Sequence, residues 1–260
     1  MEVVQLSPKA LQVPQNFRAV LVGASETGMT HFLENLIRHK SKVFPSPGYA
    51  KFIYCSPHMG GAEASSARDW SCQQRLEELA KPAEILFFDH IVTESELFEQ
   101  ADATDGNVLL VIDDFSQEIF SSPLTYNLFT KMASHHRIHS CTSLHMGTSS
   151  ARPGKWYSLI MQNFNFLVLF RTISNRASIG ELSRRIFPYG KNFLQLCLEE
   201  STRLYRDYAY VFVDAKLTNP LNKRWGVPTN LFEEHDLPML MFKNPNVYIN
   251  IEYRKNCYIS

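Results

Sequence analysis

The stretch from Arg18 to Phe32, Arg-Ala-Val-Leu-Val-Gly-Ala-Ser-Glu-Thr-Gly-Met-Thr-His-Phe, constrains this chain more than any other. It reads as an apolar strand over Phe17 to Val22, a tight loop, and a helix from about Thr30 to Lys40 with Phe32, Leu33, Leu36 and Ile37 at helical spacing. Gly23 and Gly28 stand at the spacing of a phosphate-binding loop, G-x-x-x-x-G-K-[ST], filled here by Gly23, Ala24, Ser25, Glu26, Thr27, Gly28, Met29 and Thr30. In such a loop backbone N–H groups cradle the phosphates, the lysine reaches the β and γ oxygens, and the hydroxyl holds Mg²⁺. Thr30 supplies the hydroxyl, but Met29 occupies the lysine position. Methionine keeps the length of the lysine stem and loses its charge. A hydrogen bond to a charged group is worth about 1.5–3 kcal/mol, and one preorganised donor carries about a hundredfold to a thousandfold in rate. The loop is therefore expected to hold a nucleotide and to be poorly equipped to hydrolyse it.

Strands alternating with helices along the rest of the chain predict an α/β fold with a mainly parallel central sheet flanked by helices, and the glycine loop makes that fold P-loop NTPase-like. Strands are expected at Lys51 to Cys55, Ile85 to Phe88, His139 to Leu144 (unusually polar for a strand), Phe166 to Phe170 and Tyr208 to Asp214. Helices are expected at Cys72 to Ala80, from a cap at Thr93 or Ser95 to about Gln100, at Leu124 to Ala133, and at Ser178 to Phe187 before Pro188. Ser56 to Ala67 reads as an exposed connection. Beyond Leu217 no clear period is seen, and an irregular arm with a terminal strand, Val247 to Tyr253, is expected.

The run Val108-Leu109-Leu110-Val111-Ile112-Asp113-Asp114-Phe115 carries the second constraint. Five apolar residues mark a strand covered on both faces, and ligands of open parallel sheets sit at the carboxyl ends of their strands, where Asp113 and Asp114 lie. In nucleotide hydrolases of this build one acid at that position holds Mg²⁺ through water and its neighbour orients the attacking water. Asp113 is assigned the metal, with Thr30, and Asp114 the catalytic water. The plain alternative, a polar strand end or helix cap, loses weight beside the upstream glycine loop.

Bulk properties narrow the field. At 260 residues, 45% hydrophobic and 20% charged, the chain suits one sizeable α/β domain. Its five cysteines are scattered and never in C-x-x-C spacing, which argues against a disulfide framework or zinc site and for a reducing, intracellular setting. The most apolar run, Phe164 to Phe170, is too short to cross a bilayer, so no membrane is expected as a partner. Net charge is zero but unevenly spread: residues 60 to 120 hold 14 acidic and 3 basic side chains, and residues 131 to 210 hold 11 basic and 4 acidic. The basic half, with Arg171, Arg176, Arg184, Arg185, Lys191, Arg203 and Arg206, is a candidate stripe for nucleic-acid phosphates or a solvated helix face. The adjacent His135 and His136 cannot both face one metal from a helix.

Phe-Thr-Lys-Met-Ala-Ser-His-His-Arg at Phe129 to Arg137 adds a third motif. With it the chain resembles the genome-packaging ATPases of the FtsK/HerA superfamily, found in poxviruses and Maverick/Polinton transposons. The likeness covers about residues 17 to 217, through Gly23 to Thr30, Val108 to Asp114, Phe129 to Arg137, Phe166 to Arg176 with Ile179 to Pro188, and Tyr208 to Asp214. The resemblance implies three parts: an N-terminal extension over 1–16, a P-loop ATPase-like domain over 17–217, and a C-terminal arm over 218–260. It implies ATP and Mg²⁺ as cofactors, no small-molecule substrate beyond nucleotide, double-stranded DNA as a partner, assembly into a ring, and a nuclear or virion-associated location. Arg137 would then be a catalytic finger towards a neighbouring subunit's phosphates. The chain departs from the family at Met29 and again at Met146 and Gly147, where a sensor glutamine and an asparagine usually stand. Both losses fall on groups that serve chemistry, which opens the alternative of an inactive relative acting as a nucleotide- or DNA-binding scaffold.

Overall fold

A computed structural model describes residues 2–6, 17–24, 26–44, 48–59, 67–115, 118–119, 121–132, 137–145, 160, 162–171, 176–187, 192–206, 208–215, 226–234 and 237–243. In chain order the elements are β1 (Glu2–Gln5), β2 (Arg18–Gly23), α1 (Met29–Arg38), α2 (Lys40–Val43), β3 (Tyr49–Cys55), α3 (Ala67–Ala80), β4 (Glu84–Phe88), α4 (Glu94–Asp102), β5 (Asn107–Ile112) and α5 (Pro123–Asn127). A π-helical stretch over Leu128–Met132 continues α5, followed by β6 (Ile138–His145), β7 (Phe166–Phe170), α6 (Arg176–Ile186), α7 (Phe193–Tyr205), β8 (Tyr210–Asp214), β9 (Gly226–Thr229) and β10 (Leu240–Lys243).

Seven strands form one sheet in the order β4-β3-β5-β6-β2-β7-β8. Every pairing is parallel except β7 with β8. Both faces are covered, and this is why the strands read as continuous apolar runs rather than alternating ones. Ala19 and Leu21 of β2, Leu109 and Val111 of β5, and Phe52 and Tyr54 of β3 join the core under α1 and α3. Their neighbours Val20, Val22, Leu110, Ile112, Ile53 and Cys55 join the core under α4, the π-helical stretch, α6 and α7. The predicted α/β architecture with a mainly parallel sheet is the one observed. Among the described residues no helix is long and apolar enough to cross a membrane.

Local chemistry explains several boundaries. Thr93 caps α4 in a reciprocal box, its hydroxyl accepting from the Glu96 N–H at 3.3 Å while the Glu96 carboxylate accepts from the Thr93 N–H at 2.7 Å. The single helix expected at Leu124 to Ala133 is instead α5 followed by a π-helical stretch. There the Phe129 carbonyl accepts from the Arg18 guanidinium at 2.5 Å, and the Thr130 hydroxyl donates to the Tyr126 carbonyl at 2.6 Å. An Arg18 donor on one carbonyl offers the backbone an alternative to the regular ladder, a known cause of such irregularity.

The stretch after Leu217 is not irregular throughout. β9 and β10 pair antiparallel, and β10 pairs with β1 from Glu2↔Lys243 to Gln5↔Leu240, making a second, three-stranded sheet. Its Val227 and Phe242 join the larger core. The terminal strand expected at Val247 to Tyr253 lies outside the described residues, as do most of the Ser56 to Ala67 connection and the three tryptophan side chains.

The segment between β9 and β10 grips α1. Asn35 donates to the Glu234 carboxylate, and His31 Nε2 lies 3.5 Å from the same oxygen. The hydrogen bond to Glu234 raises the His31 pKa above its ordinary 6.5 against the opposing effect of burial. A histidine raised on folding contributes stability fully below about pH 6.5, and the contribution is lost as pH rises through the raised value. Thermal melts are therefore expected to show a wild-type midpoint falling between pH 6 and pH 8 relative to Glu234→Gln. Parallel pH profiles of the two proteins would contradict the contact.

Candidate functional site

The phosphate-type loop is built where β2 runs into α1 at the carboxyl edge of the sheet. Gly23 closes the strand with no room for a side chain: an added Cβ would lie 2.5 Å from the Thr27 hydroxyl, 3.1 Å from Phe170 Cβ and 3.3 Å from Met29 Sδ. Thr27 fastens the turn by donating to the Ala24 carbonyl at 2.7 Å. Glu26 is exposed in the left-handed region at φ 63°, and Gly28 caps the helix at φ 99°, a conformation glycine adopts without steric cost. Ser25 lies outside the described residues.

Met29 is the first residue of α1 and is buried in the core beneath the loop, its sulfur beside Gly23. An uncharged stem has no reason to stay in water, so it packs. Thr30 is exposed, and its hydroxyl lies 3.3 Å from Asp113 Oδ2 across the sheet. The two residues assigned to a metal, 83 positions apart, are thus brought together.

Asp113 follows β5 directly and is buried. Its backbone N–H donates to the Cys55 carbonyl at 2.9 Å, which holds the turn in register with β3. Tyr54 donates its hydroxyl to Oδ2 at 2.8 Å, and Ser143 donates to Oδ1 at 2.6 Å. Three hydroxyls thus converge on one carboxylate. Burial first, and the Asp113 charge second, push the Tyr54 phenol well above its ordinary pKa, so it stays a donor. Asp114 turns the chain at φ 63°, an uncommon conformation that aspartate tolerates better than most side chains. Its N–H donates to the Ser143 hydroxyl at 3.0 Å, and its carboxylate lies 3.3 Å from His58 Nε2 at the surface. Ser143 therefore serves both acids, one as donor and one as acceptor.

Tyr54, Ser143 and His58 are site residues that sequence reasoning misses. The polarity of β6 is the available signal. Ser143 lies one step beyond the Ile112↔Thr142 pair and so meets Asp113 across the strands. Elsewhere on β6, His139 Nδ1 lies 2.6 Å from the buried Tyr49 hydroxyl.

The structure does not bring Arg137 to this loop. Arg137 is exposed at φ 54° at the amino end of β6, whereas Asp113 lies at the carboxyl end of the neighbouring β5. Arg137 is level with Asn107, and six strand steps at about 3.3 Å separate it from Asp113 by roughly 20 Å. Lys131 follows Phe129, whose carbonyl is bound by Arg18 from the amino end of β2, so it too starts from the far edge. Of the basic half, Arg203 is paired with Glu200 at 2.6 Å and Arg171 is exposed. His135, His136, Met146 and Gly147 lie outside the described residues, as do the side chains of Arg176, Arg185 and Lys191.

Among the described residues no three His, Cys, Asp or Glu side chains cluster for a metal. What the site offers is one hydroxyl and one carboxylate, a set that suits Mg²⁺ kept partly in water and partly on phosphate oxygens. The same site suits a triphosphate less well, with an acidic Glu26 in the loop and no lysine at position 29.

No protein-family model matches the sequence. No curated protein matches it either. Among solved structures the chain is similar to the cytoplasmic domain of the type VII secretion ATPase EccC of Thermomonospora curvata, with 14% identity, 60% of this chain and 19% of that chain covered, and a TM-score of 0.35. It is also similar to ATPases 2 and 3 of the same EccC in complex with a signal sequence peptide, with 12% identity, 88% and 36% covered, and a TM-score of 0.38. The chain thus spans about a fifth and about a third of those two proteins. What this chain binds has to be read from its own residues.

Proposed function

We propose that this protein binds ATP with Mg²⁺ at the Gly23–Thr30 loop and that hydrolysis is impaired by the loss of the loop lysine. The observation that carries the reading is the Thr30 hydroxyl 3.3 Å from Asp113 at the mouth of a glycine-closed strand–loop–helix turn. Thr30 and Asp113 would hold the metal, which when bound supplies positive charge against the phosphates. Loop N–H groups and the amino end of α1 supply the remaining electrostatic attraction. Asp114 would orient water, at the surface and beside His58. Met29 packs into the core instead of offering a cation.

Thermal unfolding tests this. A ligand at a hundred times its Kd stabilises by about 2.7 kcal/mol. The midpoint should therefore rise by several degrees with ATP and Mg²⁺ and much less with ATP and EDTA. No shift at millimolar ATP with Mg²⁺ would overturn the reading.

The packaging-motor version, in which copies assemble as a ring on double-stranded DNA, is a proposal that rests on the sequence resemblance and the basic second half. Arg137, at the edge opposite its own loop, would serve the loop of a second copy. That version expects DNA to stimulate ATP turnover and light scattering to register a multimer with nucleotide. A strict monomer with no response to DNA would leave only the binding protein.

A further inference from the structure

We infer that the half-exposed rings of Tyr208 and His31 form a stacking platform for the base of the nucleotide held at the Gly23–Thr30 loop. The inference rests on the nucleotide-binding reading above and extends it to the other end of the ligand.

The sheet order fixes where that end must lie. β6 and β5 flank β2 on one side and β7 and β8 on the other. Thr30 and Asp113 meet on the first side, so a nucleotide with its metal end there extends across Gly28 towards the second. Tyr208 stands on that second side, two residues before Tyr210, which opens β8 opposite Phe170 at the end of β7. This is the same edge of the sheet as the loop.

Tyr208 is set against the loop itself. A Cβ added to Gly28 would lie 2.5 Å from Tyr208 Cδ1 and 2.9 Å from its Cγ. The neighbouring His31, on the first turn of α1, has its ring centroid 5.0 Å away with the planes 33° apart. His31 is steadied in turn by the Glu234 carboxylate, 3.5 Å from its Nε2. Tyr208 nevertheless stays 49% exposed and holds φ 58°, a conformation that is an outlier for a bulky residue. An exposed aromatic kept in an unfavourable backbone state beside a ligand loop marks a surface retained for contact. At 5.0 Å and 33° the two rings lie partly face to face, and the exposed part of Tyr208 presents the kind of π surface on which bases stack, with a purine offering the larger face to lay on it.

The test compares ATP with inorganic tripolyphosphate, both with Mg²⁺, by calorimetric titration of wild type, Tyr208→Gly and Tyr208→Phe. Glycine removes the ring and accepts φ 58° without strain, so the variant keeps the backbone. Tyr208→Gly should bind ATP about tenfold or more weakly than wild type, the loss of one base–aromatic stack, while tripolyphosphate binding stays unchanged. Tyr208→Phe should keep the wild-type preference. Equal losses for both ligands, or no loss for either, would overturn the platform and leave the loop as a phosphate site. Failure of the wild type to bind either ligand would overturn the nucleotide reading, and the platform with it.

Discussion

Met29→Lys is expected to bind ATP with Mg²⁺ about tenfold to a hundredfold more tightly than the wild type, the gain from one charge-assisted hydrogen bond to phosphate. Turnover should rise by about a hundredfold, the contribution of one preorganised donor. The geometry favours this outcome because Met29 Sδ already lies at the floor of the loop, 3.3 Å from where a Gly23 side chain would begin. A lysine following the same course carries its ammonium two atoms beyond the sulfur position, one beyond the methionine methyl. Without nucleotide that ammonium replaces a methionine buried in the apolar core, so the free variant should melt lower than the wild type. A lower melting midpoint without ligand together with a larger rise on adding ATP and Mg²⁺ is the expected signature. Unchanged affinity in a folded Met29→Lys protein would mean that position 29 does not face phosphate.

Asp113→Ala should lose the Mg²⁺-dependent part of ATP binding altogether and also destabilise the fold. Tyr54 is fully buried, and its hydroxyl donates to Asp113. Removing the acceptor leaves a buried hydroxyl unpaired at a cost of about 1–3 kcal/mol. Denaturant unfolding should register that loss. Asp114→Asn should behave differently: asparagine tolerates the same φ, the side chain is partly exposed, and stability should move by less than about 0.5 kcal/mol. The two adjacent acids are thus separable by experiment, one buried among three hydroxyls and proposed to face the metal, the other at the surface. Equal effects of the two substitutions on stability would contradict the division.

The loop and the acids are legible in the sequence for a simple reason. Alternation of apolar and polar residues is absent from β2 and β5 because both faces are buried, and a continuous apolar run followed by glycine or by two carboxylates is a local signal. The partners of Asp113 are not legible, since Tyr54 and Ser143 reach it from strands 59 and 30 residues away. The helix α7 is absent from the expected elements although Phe193, Leu194, Cys197, Leu198 and Ser201 carry a helical period. The second sheet is hidden for two physical reasons. Pro228 lies in β9, an edge strand, where proline is tolerated but argues against a strand when read alone. β1 pairs with β10 across nearly the whole chain, a contact no local pattern announces. In the sequence Tyr208 reads only as the start of a strand. Its place beside Gly28 depends on a left-handed backbone that sequence does not display.

Calorimetric titration of the wild type with ATP and Mg²⁺, followed by analysis of the recovered nucleotide, separates nucleotide binding from hydrolysis in one experiment. One Mg²⁺-dependent site per chain and nucleotide recovered largely as ATP are the expected result. No heat of binding, or ATP converted to ADP at the roughly 1–10³ per second of ordinary enzymes, would contradict it.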